Sequence, residues 1–278
     1  MSFKPTIVVE DRQHLQQLVG VHMDTQGAAA SLNHLDVSHV TDMSYIFAHS
    51  QFNGDISQWN TSAVQSMTGM FMGSAFNRNI STWDTSRVTD MSHMFESASF
   101  RGDLGHWNVG NVRCMTRMFD GAVFNGDLSA WNVGNCTHFD GMFENSPFNM
   151  PVDNWNMRRA QSVQGMFSRS KFKKDVSAWD LPLSCDTLRL FAAIPATLAM
   201  QKMAPWHAKM HLDNWSLPPE GPMREAMEKL RCIHDALGAD NVQRARDIVR
   251  MMAPKMEGDG AKPGEGESWA LEGLLPDH

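Results

Sequence analysis

The sequence predicts an α/β repeat solenoid, because three sets of aromatic residues recur at the same interval of 24 residues. One set is tryptophan: Trp59, Trp83, Trp107, Trp131, Trp155 and Trp179. Two sets are phenylalanine: Phe52, Phe76, Phe100, Phe124, Phe148 and Phe172, and then Phe47, Phe71, Phe95, Phe119, Phe143, Phe167 and Phe191. We call them the Trp column, the Phe52 column and the Phe47 column. A fixed period between about 20 and 50 residues is typical of arrays in which each unit buries its apolar side against its neighbours.

The second half of each unit predicts a short helix. In one unit the apolar residues Val64, Met67, Met70 and Phe71 fall at i, i+3, i+6 and i+7, which is one face of about two helical turns. Ser62 is the candidate N-cap of this helix. A helix this short is unstable in isolation, so it requires the neighbouring units.

The first half of each unit predicts a short strand. Residues 55–58, with Ile56 pointing inward, are long enough for one, and the strand pairs in parallel with its counterpart one unit away. Strands in a sheet lie about 4.8 Å apart, so equivalent tryptophans come within the range of roughly 4.5 to 7 Å that favours aromatic stacking. The aromatic columns are therefore the predicted core.

Four regions divide the chain. Residues 1–34 are an N-terminal cap, with a strand at Ile7 to Val9 and a helix over residues 11–19 that is indicated by the helical spacing of Leu15, Leu18 and Val19. Residues 35–196 are the repeat array, and residues 197–253 are a C-terminal helical hairpin. Residues 254–278 are predicted to be a flexible acidic linker and an apolar tail, which docks either on its own chain or on another.

Charge and composition exclude several functional classes. The formal net charge is -7 and no large segment is strongly basic, so nucleic-acid binding is not expected. We find neither a standard export signal nor an apolar run long enough to span a membrane. The four cysteines are unevenly spaced, and Cys136 occupies an apolar position of its unit. We expect reduced thiols and a cytoplasmic protein, or one that is secreted or delivered without a cleavable signal peptide.

The repeat resembles the BspA-like surface-protein repeats of mycoplasma-type lipoproteins, which are distant relatives of leucine-rich repeats. Residues 32–44 and 83–95 carry this resemblance, with the motifs LNHLDVSHVTDMS and WDTSRVTDMSHMF, and it extends over about residues 31–192. It implies a right-handed, leucine-rich-repeat-like solenoid of strand and short helix. It also implies roles in adhesion and protein recognition, with no catalytic residues to transfer.

Catalytic and metal-binding patterns are weak in this sequence. His207 and His211 have the i, i+4 spacing of zinc ligands on a helix, but no glutamate follows His207 and no third ligand is evident. We therefore predict no cofactor, no metal and no enzymatic activity. The alternative is an enzyme whose site lies in residues 197–278, with the repeats as a targeting arm.

Outward positions of the repeat are the predicted partner-binding residues, because they vary between units while the core is uniform. They are Gln65, Thr68, Thr89, Asp90, His93, Arg113, Arg117, His138, Gln161 and Gln164.

A basic cluster is a second candidate surface. Its members are Arg158, Arg159, Arg169, Lys171, Lys173 and Lys174. It is either a patch for an acidic partner or nucleic acid, or a solvated end of the array, and the second interpretation is preferred.

Together these patterns predict a non-enzymatic scaffold for protein–protein recognition, with a bacterial effector or interaction protein as the expected setting. The alternatives are an intracellular inhibitor or immunity-type partner of a toxin, and a surface adhesin. The predicted partner is another protein, whose identity and the chain's own oligomeric state stay open.

Overall fold

A computed structural model of the chain describes residues 7–176, 178–182 and 184–193. In these residues no helix is both long and apolar enough to cross a lipid bilayer. The predicted hairpin at 197–253, the tail at 254–278 and the pair His207 and His211 lie outside the described residues.

Two strands and one helix open the described chain. Strand β1 (Ile7–Val8) leads to helix α1 (Arg12–Gln26) and then to strand β2 (Leu35–Asp36). β1 and β2 pair in parallel, with Ile7 opposite Leu35. The strand predicted at the start of the cap is confirmed, and β2 occupies the first position of the repeat pattern.

The α1 helix confirms the prediction made from its apolar spacing. Asp11 is the N-cap, and its side chain accepts a hydrogen bond of 2.8 Å from the His14 backbone N–H. Leu15 and Val19 are buried, and α1 ends at Gly27, whose φ of 82° favours glycine. The helix continues about two turns beyond the predicted segment.

Stacked units follow the cap, and each is joined to the next through backbone hydrogen bonds. In one unit the N–H groups of Met67, Gly69, Phe71 and Gly73 donate to the carbonyls 23 residues ahead, at 2.7 to 3.0 Å. Parallel bridges connect the positions Asp42, Ser66, Asp90, Cys114, His138, Ser162 and Asp186 in sequence. The predicted parallel pairing between equivalent positions is therefore present.

The short helix predicted over Val64 to Phe71 is wrong. Its residues form consecutive turns, in which the N–H of Met70 donates to the Met67 carbonyl, and Gly69 has a positive φ of 58°. Alternate N–H groups can then point along the stack to the next unit, whereas a helix would retain them internally. Ser62 is not an N-cap, because no helix follows it and its hydroxyl and backbone N–H both donate to Asn60 Oδ1, at 2.8 and 3.2 Å, in a local turn.

The strand predicted at residues 55–58 is also displaced. This segment is a turn in which Asp55 Oδ1 accepts a hydrogen bond of 2.9 Å from the Ser57 N–H. The parallel bridge of this unit lies at Ser66 instead. Asp and Asn favour such local side-chain to backbone bonds over a ladder, which explains the difference.

Aromatic stacking forms the core, as predicted. The ring centroids of Trp59 and Trp83 are 6.2 Å apart with an interplanar angle of 7°. In the Phe47 column, Phe47 and Phe71 are 5.5 Å apart at 5°. The apolar residues on which the helix prediction rested are nevertheless fully buried, because the turns also direct their side chains toward the core. They are Val64, Met67, Met70 and Phe71.

The Trp column also makes hydrogen bonds that the sequence did not reveal. Each indole N–H donates to a main-chain carbonyl 27 residues earlier, at 2.7 to 3.2 Å. The same carbonyl accepts a second bond from within its own unit, as at Ile80, which accepts both the Trp83 backbone N–H and the Trp107 indole. Each such carbonyl therefore uses both lone pairs. The carbonyls are those of Leu32, Ile56, Ile80, Leu104, Leu128 and Val152.

We predict that Trp107→Phe lowers the free energy of unfolding by about 1–3 kcal/mol, because it removes the indole bond to Ile80 and leaves a small cavity. Urea denaturation of the full chain measures this. The matched control is His106→Ala, an exposed neighbour, with an expected change within about 0.5 kcal/mol. Equal stability of the two variants would contradict a structural role for the indole bond.

Candidate functional site

All ten residues predicted to bind a partner fall in one segment of the repeat, equivalent to residues 65–69 of one unit. We call the surface that this segment forms along the stack the variable face. Six of the ten are exposed: Gln65, Thr89, Arg113, Arg117, Gln161 and Gln164. Four are half-buried: Thr68, Asp90, His93 and His138.

The central column of this face is aligned by the backbone. The N–H of Thr89 donates to the Gln65 carbonyl, and the N–H of Arg113 to the Thr89 carbonyl, both at 2.8 Å. The same bond joins Thr137 to Arg113 and Gln161 to Thr137. Side chains from successive units therefore lie side by side at about strand spacing, roughly 4.8 Å. Residues 24 apart in sequence form one continuous surface.

The half-buried members are held by local hydrogen bonds. Asp90 Oδ1 accepts from the Ser92 backbone N–H at 2.8 Å and from the Ser92 hydroxyl at 2.6 Å. His138 Nδ1 lies 2.9 Å from Thr137 Oγ1. These contacts fix the orientation of the Asp90 and His138 side chains.

An ionic cluster lies beside these columns. His93 Nδ1 is 2.5 Å from Glu96 Oε2, and the Arg117 guanidinium is 3.7 Å from Glu96 and 3.6 Å from Asp120. Arg117 therefore directs its charge toward carboxylates of its own chain. Sequence analysis missed Glu96 and Asp120, although the 24-residue step of Glu96, Asp120 and Glu144 was the available signal.

Asp120 is the most perturbed carboxylate of this cluster. Burial raises its pKa above the usual range, and the neighbouring carboxylates of Glu144 and Glu96 raise it further. A hydrogen bond of 3.1 Å from the Asn145 side chain and the charge of Arg117 oppose this rise. Asp120 therefore loses its proton less readily in the folded chain than in the unfolded chain.

A recess of about 220 Å³ interrupts the variable face near its C-terminal end. We call it the glycine recess, because Gly141 and Gly165 occupy positions where other units carry side chains. Its lining is Thr116, Arg117, Asp140, Gly141, Glu144, Gln164, Gly165, Ser168 and Arg189.

The predicted basic cluster is divided among three segments of the repeat. Arg158 and Arg159 lie in the turn after Trp155, where Arg158 pairs with Asp180 at 2.8 Å and Arg159 donates to Asn135 at 2.8 Å. Arg169 has a positive φ of 54° and belongs to a different segment. The last segment flanks Phe172 with Lys171, Lys173 and Lys174, all exposed.

Within the described residues, no group of three or more histidine, cysteine or acidic side chains is placed to hold a metal ion. Cys136 is buried, as the sequence predicted. Burial raises the pKa of the Cys185 thiol to about 12 and that of Cys136 further, so both are protonated at neutral pH.

The geometry defines a repeat protein whose units stack through aromatic columns. The family described as "Mycoplasma protein of unknown function, DUF285" matches the chain twice, over residues 16–123 and 99–206. These overlapping matches span more than half of the chain, which therefore belongs to this family. Searches of curated proteins and of solved structures found no match.

We predict that Asp120→Asn stabilises the protein at pH 7. A carboxyl group whose folded pKa is raised contributes stability below its unfolded pKa of about 3.9 and loses it as pH rises through the folded value. The gain from the substitution should therefore vanish below about pH 4. Thermal unfolding from pH 3 to pH 8 measures it.

The matched control is Asp127→Asn, because hydrogen bonds from Ser129 lower the pKa of Asp127. A lowered pKa stabilises the fold above about pH 3.9 and stops doing so as pH falls through the folded value. Asp127→Asn should therefore lose stability at pH 7, opposite in sign to Asp120→Asn. Changes of the same sign in both variants would contradict this assignment.

Proposed function

We propose that the chain is a non-enzymatic scaffold that recognises another protein through the variable face. The observation that carries this proposal is the alignment of different side chains, unit by unit, over an unvarying core. One position of the repeat is occupied in successive units by Thr41, Gln65, Thr89, Arg113 and Thr137. The Trp column in the core is tryptophan in every one of its six units.

Such an arrangement suits protein recognition for physical reasons. Side chains at fixed spacing on a hydrogen-bonded backbone lose little further freedom on binding, so more of the contact energy appears as affinity. Differences between units supply the hydrogen-bonding and charge pattern that distinguishes one partner from another. Repeat arrays commonly use extended surfaces in this way.

The biological setting is part of the proposal. The family description names Mycoplasma proteins, which supports a bacterial interaction protein or effector. Kinship with BspA-like surface repeats, and the right-handed leucine-rich-repeat-like solenoid that it implies, are supported by the recurring motif at residues 83–95 and by the parallel stacking of units.

We predict that the triple substitution of Gln65, Thr89 and Arg113 by alanine reduces recovery of a co-purifying partner at least about tenfold, because it removes one central column of contacts. Affinity purification with the tagged full chain from the native cell, followed by mass spectrometry, measures recovery. Thermal unfolding of the variant should change little.

The control variant substitutes Gln58, Thr82 and His106 by alanine. These residues are exposed in the same part of the array but at another corner of the unit. The control is matched in hydrogen bonding, since Thr82 Oγ1 donates to the Ser57 carbonyl at 3.5 Å as Thr89 Oγ1 does to the Gln65 carbonyl at 3.2 Å. Equal partner recovery with both variants would place the binding site elsewhere.

A further inference from the structure

We infer that the glycine recess is a subsite for a cationic side chain, arginine or lysine, of the partner protein. This inference rests on the proposed function and specifies the partner's chemistry at one point of the variable face. It follows from the backbone at the two glycines, the position of Glu144 and the pairing of the surrounding charges.

The backbone does not require glycine at these two positions. Gly141 and Gly165 have φ of 59° and 61°, yet Tyr45, His93, Arg117 and Arg189 occupy the equivalent positions of other units with φ of 54° to 60°. Side chains are thus accommodated at this site of the repeat. Backbone conformation therefore does not explain the two successive glycines. At Gly165 a Cβ atom would make only ordinary contacts, 3.8 Å from Glu144 Oε2 and from Ser168 Cβ.

Gly69 is a third glycine at the equivalent position, but a neighbouring side chain covers it. A Cβ atom at Gly69 would lie 2.3 Å from the Tyr45 ring, so the side chain of the preceding unit covers Gly69. The Arg117 stem reaches toward Gly141 in the same way, with its Cγ 3.3 Å from a Cβ there. Since Gly141 has no side chain, none extends from it over Gly165.

Glu144 lies between the two glycines. Its Oε2 atom would be 3.3 Å from a Cβ at Gly141 and 3.8 Å from one at Gly165. In the described part of the chain this carboxylate has no hydrogen bond and no ion pair. A half-buried carboxylate in such a recess favours a cation supplied from outside.

Glu144 and Asp140 line the recess together with Arg117 and Arg189, and Glu144 has no ion pair with either arginine in the described residues. The Arg117 guanidinium is directed to Glu96 and Asp120 in the other direction along the stack. Asp140 is a second carboxylate of the lining, and its Oδ1 accepts hydrogen bonds from the Ser162 hydroxyl and, at 3.0 Å, from the Gln164 N–H. Arg189 also lines the recess, from the unit that follows Gly165.

The test titrates ¹⁵N-labelled full-length protein with Nα-acetyl-arginine amide and follows the amide resonances of Gly141 and Gly165 by NMR. We expect saturable shifts at millimolar ligand. Nα-acetyl-citrulline amide, which is neutral and similar in shape, should produce none at the same concentrations. Glycine shifts that are absent with arginine, or equal with citrulline, would overturn the inference.

Two variants locate the effect. Glu144→Gln should raise the titration midpoint at least about tenfold, because it removes the charge and retains the shape. Gly165→Arg should do the same by supplying an internal cation at a backbone position that Arg117 and Arg189 already tolerate. Asp153→Asn, an exposed substitution with the same change of net charge, should leave the midpoint within twofold. An unchanged midpoint in Glu144→Gln contradicts the inference.

Partner recovery separates this inference from the broader proposal. If the Gln65, Thr89 and Arg113 variant loses the co-purified partner while Glu144→Gln retains it, the recess inference fails and recognition by the variable face stands. If neither variant loses the partner, both fail. Loss in both, together with the NMR result, supports both.

Discussion

The indole hydrogen bond between units is the constraint on which the rest of this structure depends. An aromatic column alone fixes the distance between units but permits sliding and rotation, since offset stacking tolerates both. The bond from Trp107 Nε1 to the Ile80 carbonyl removes that freedom, because it ties a side chain to one main-chain atom of the preceding unit. That carbonyl also accepts the Trp83 backbone N–H, so the turn before each tryptophan is part of the same arrangement. An insertion between carbonyl and indole would break both, which explains the unvarying interval.

Residues with positive φ affect both the stacking of the units and the shape of the variable face. Two positions in each unit have positive φ, as at Tyr45 and His49, and the alternation directs every second N–H along the stack. Non-glycine residues pay roughly 1–2 kcal/mol for that conformation. The inter-unit hydrogen bonds offset this cost, and glycine avoids it. Side chains at these positions extend over the following unit, as the Tyr45 ring does over Gly69. The same backbone device therefore builds the stack and shapes its surface.

The sequence was informative wherever the 24-residue step acts on large apolar residues. The aromatic columns, the buried methionines and α1 could be predicted, because each depends only on which side chains face the core. The helix prediction failed because an i, i+3, i+6, i+7 pattern also arises from successive turns. Gly69 within this pattern and Gly73 just after it were the contrary signal. Glu96 and Asp120 were missed because their importance comes from contacts between units, which a motif within one unit does not contain.

The chemistry of the variable face changes along the stack, and in the proposed mode of recognition this change would orient a partner. Its first units present hydroxyl and amide groups, with Ser66 Oγ 3.1 Å from Thr68 Oγ1. Its central units carry the ionic cluster around Arg117, whose charges are largely satisfied within the chain. Toward the C-terminal end, Glu144 has no such compensation. If such a partner bound in the reverse direction, its cationic side chain would lie against hydroxyl and amide groups. Glu144 would then be desolvated without a counter-ion, which is costly. In the proposed mode of recognition this gradient would specify orientation as well as affinity, whereas a uniform array of identical units would specify neither.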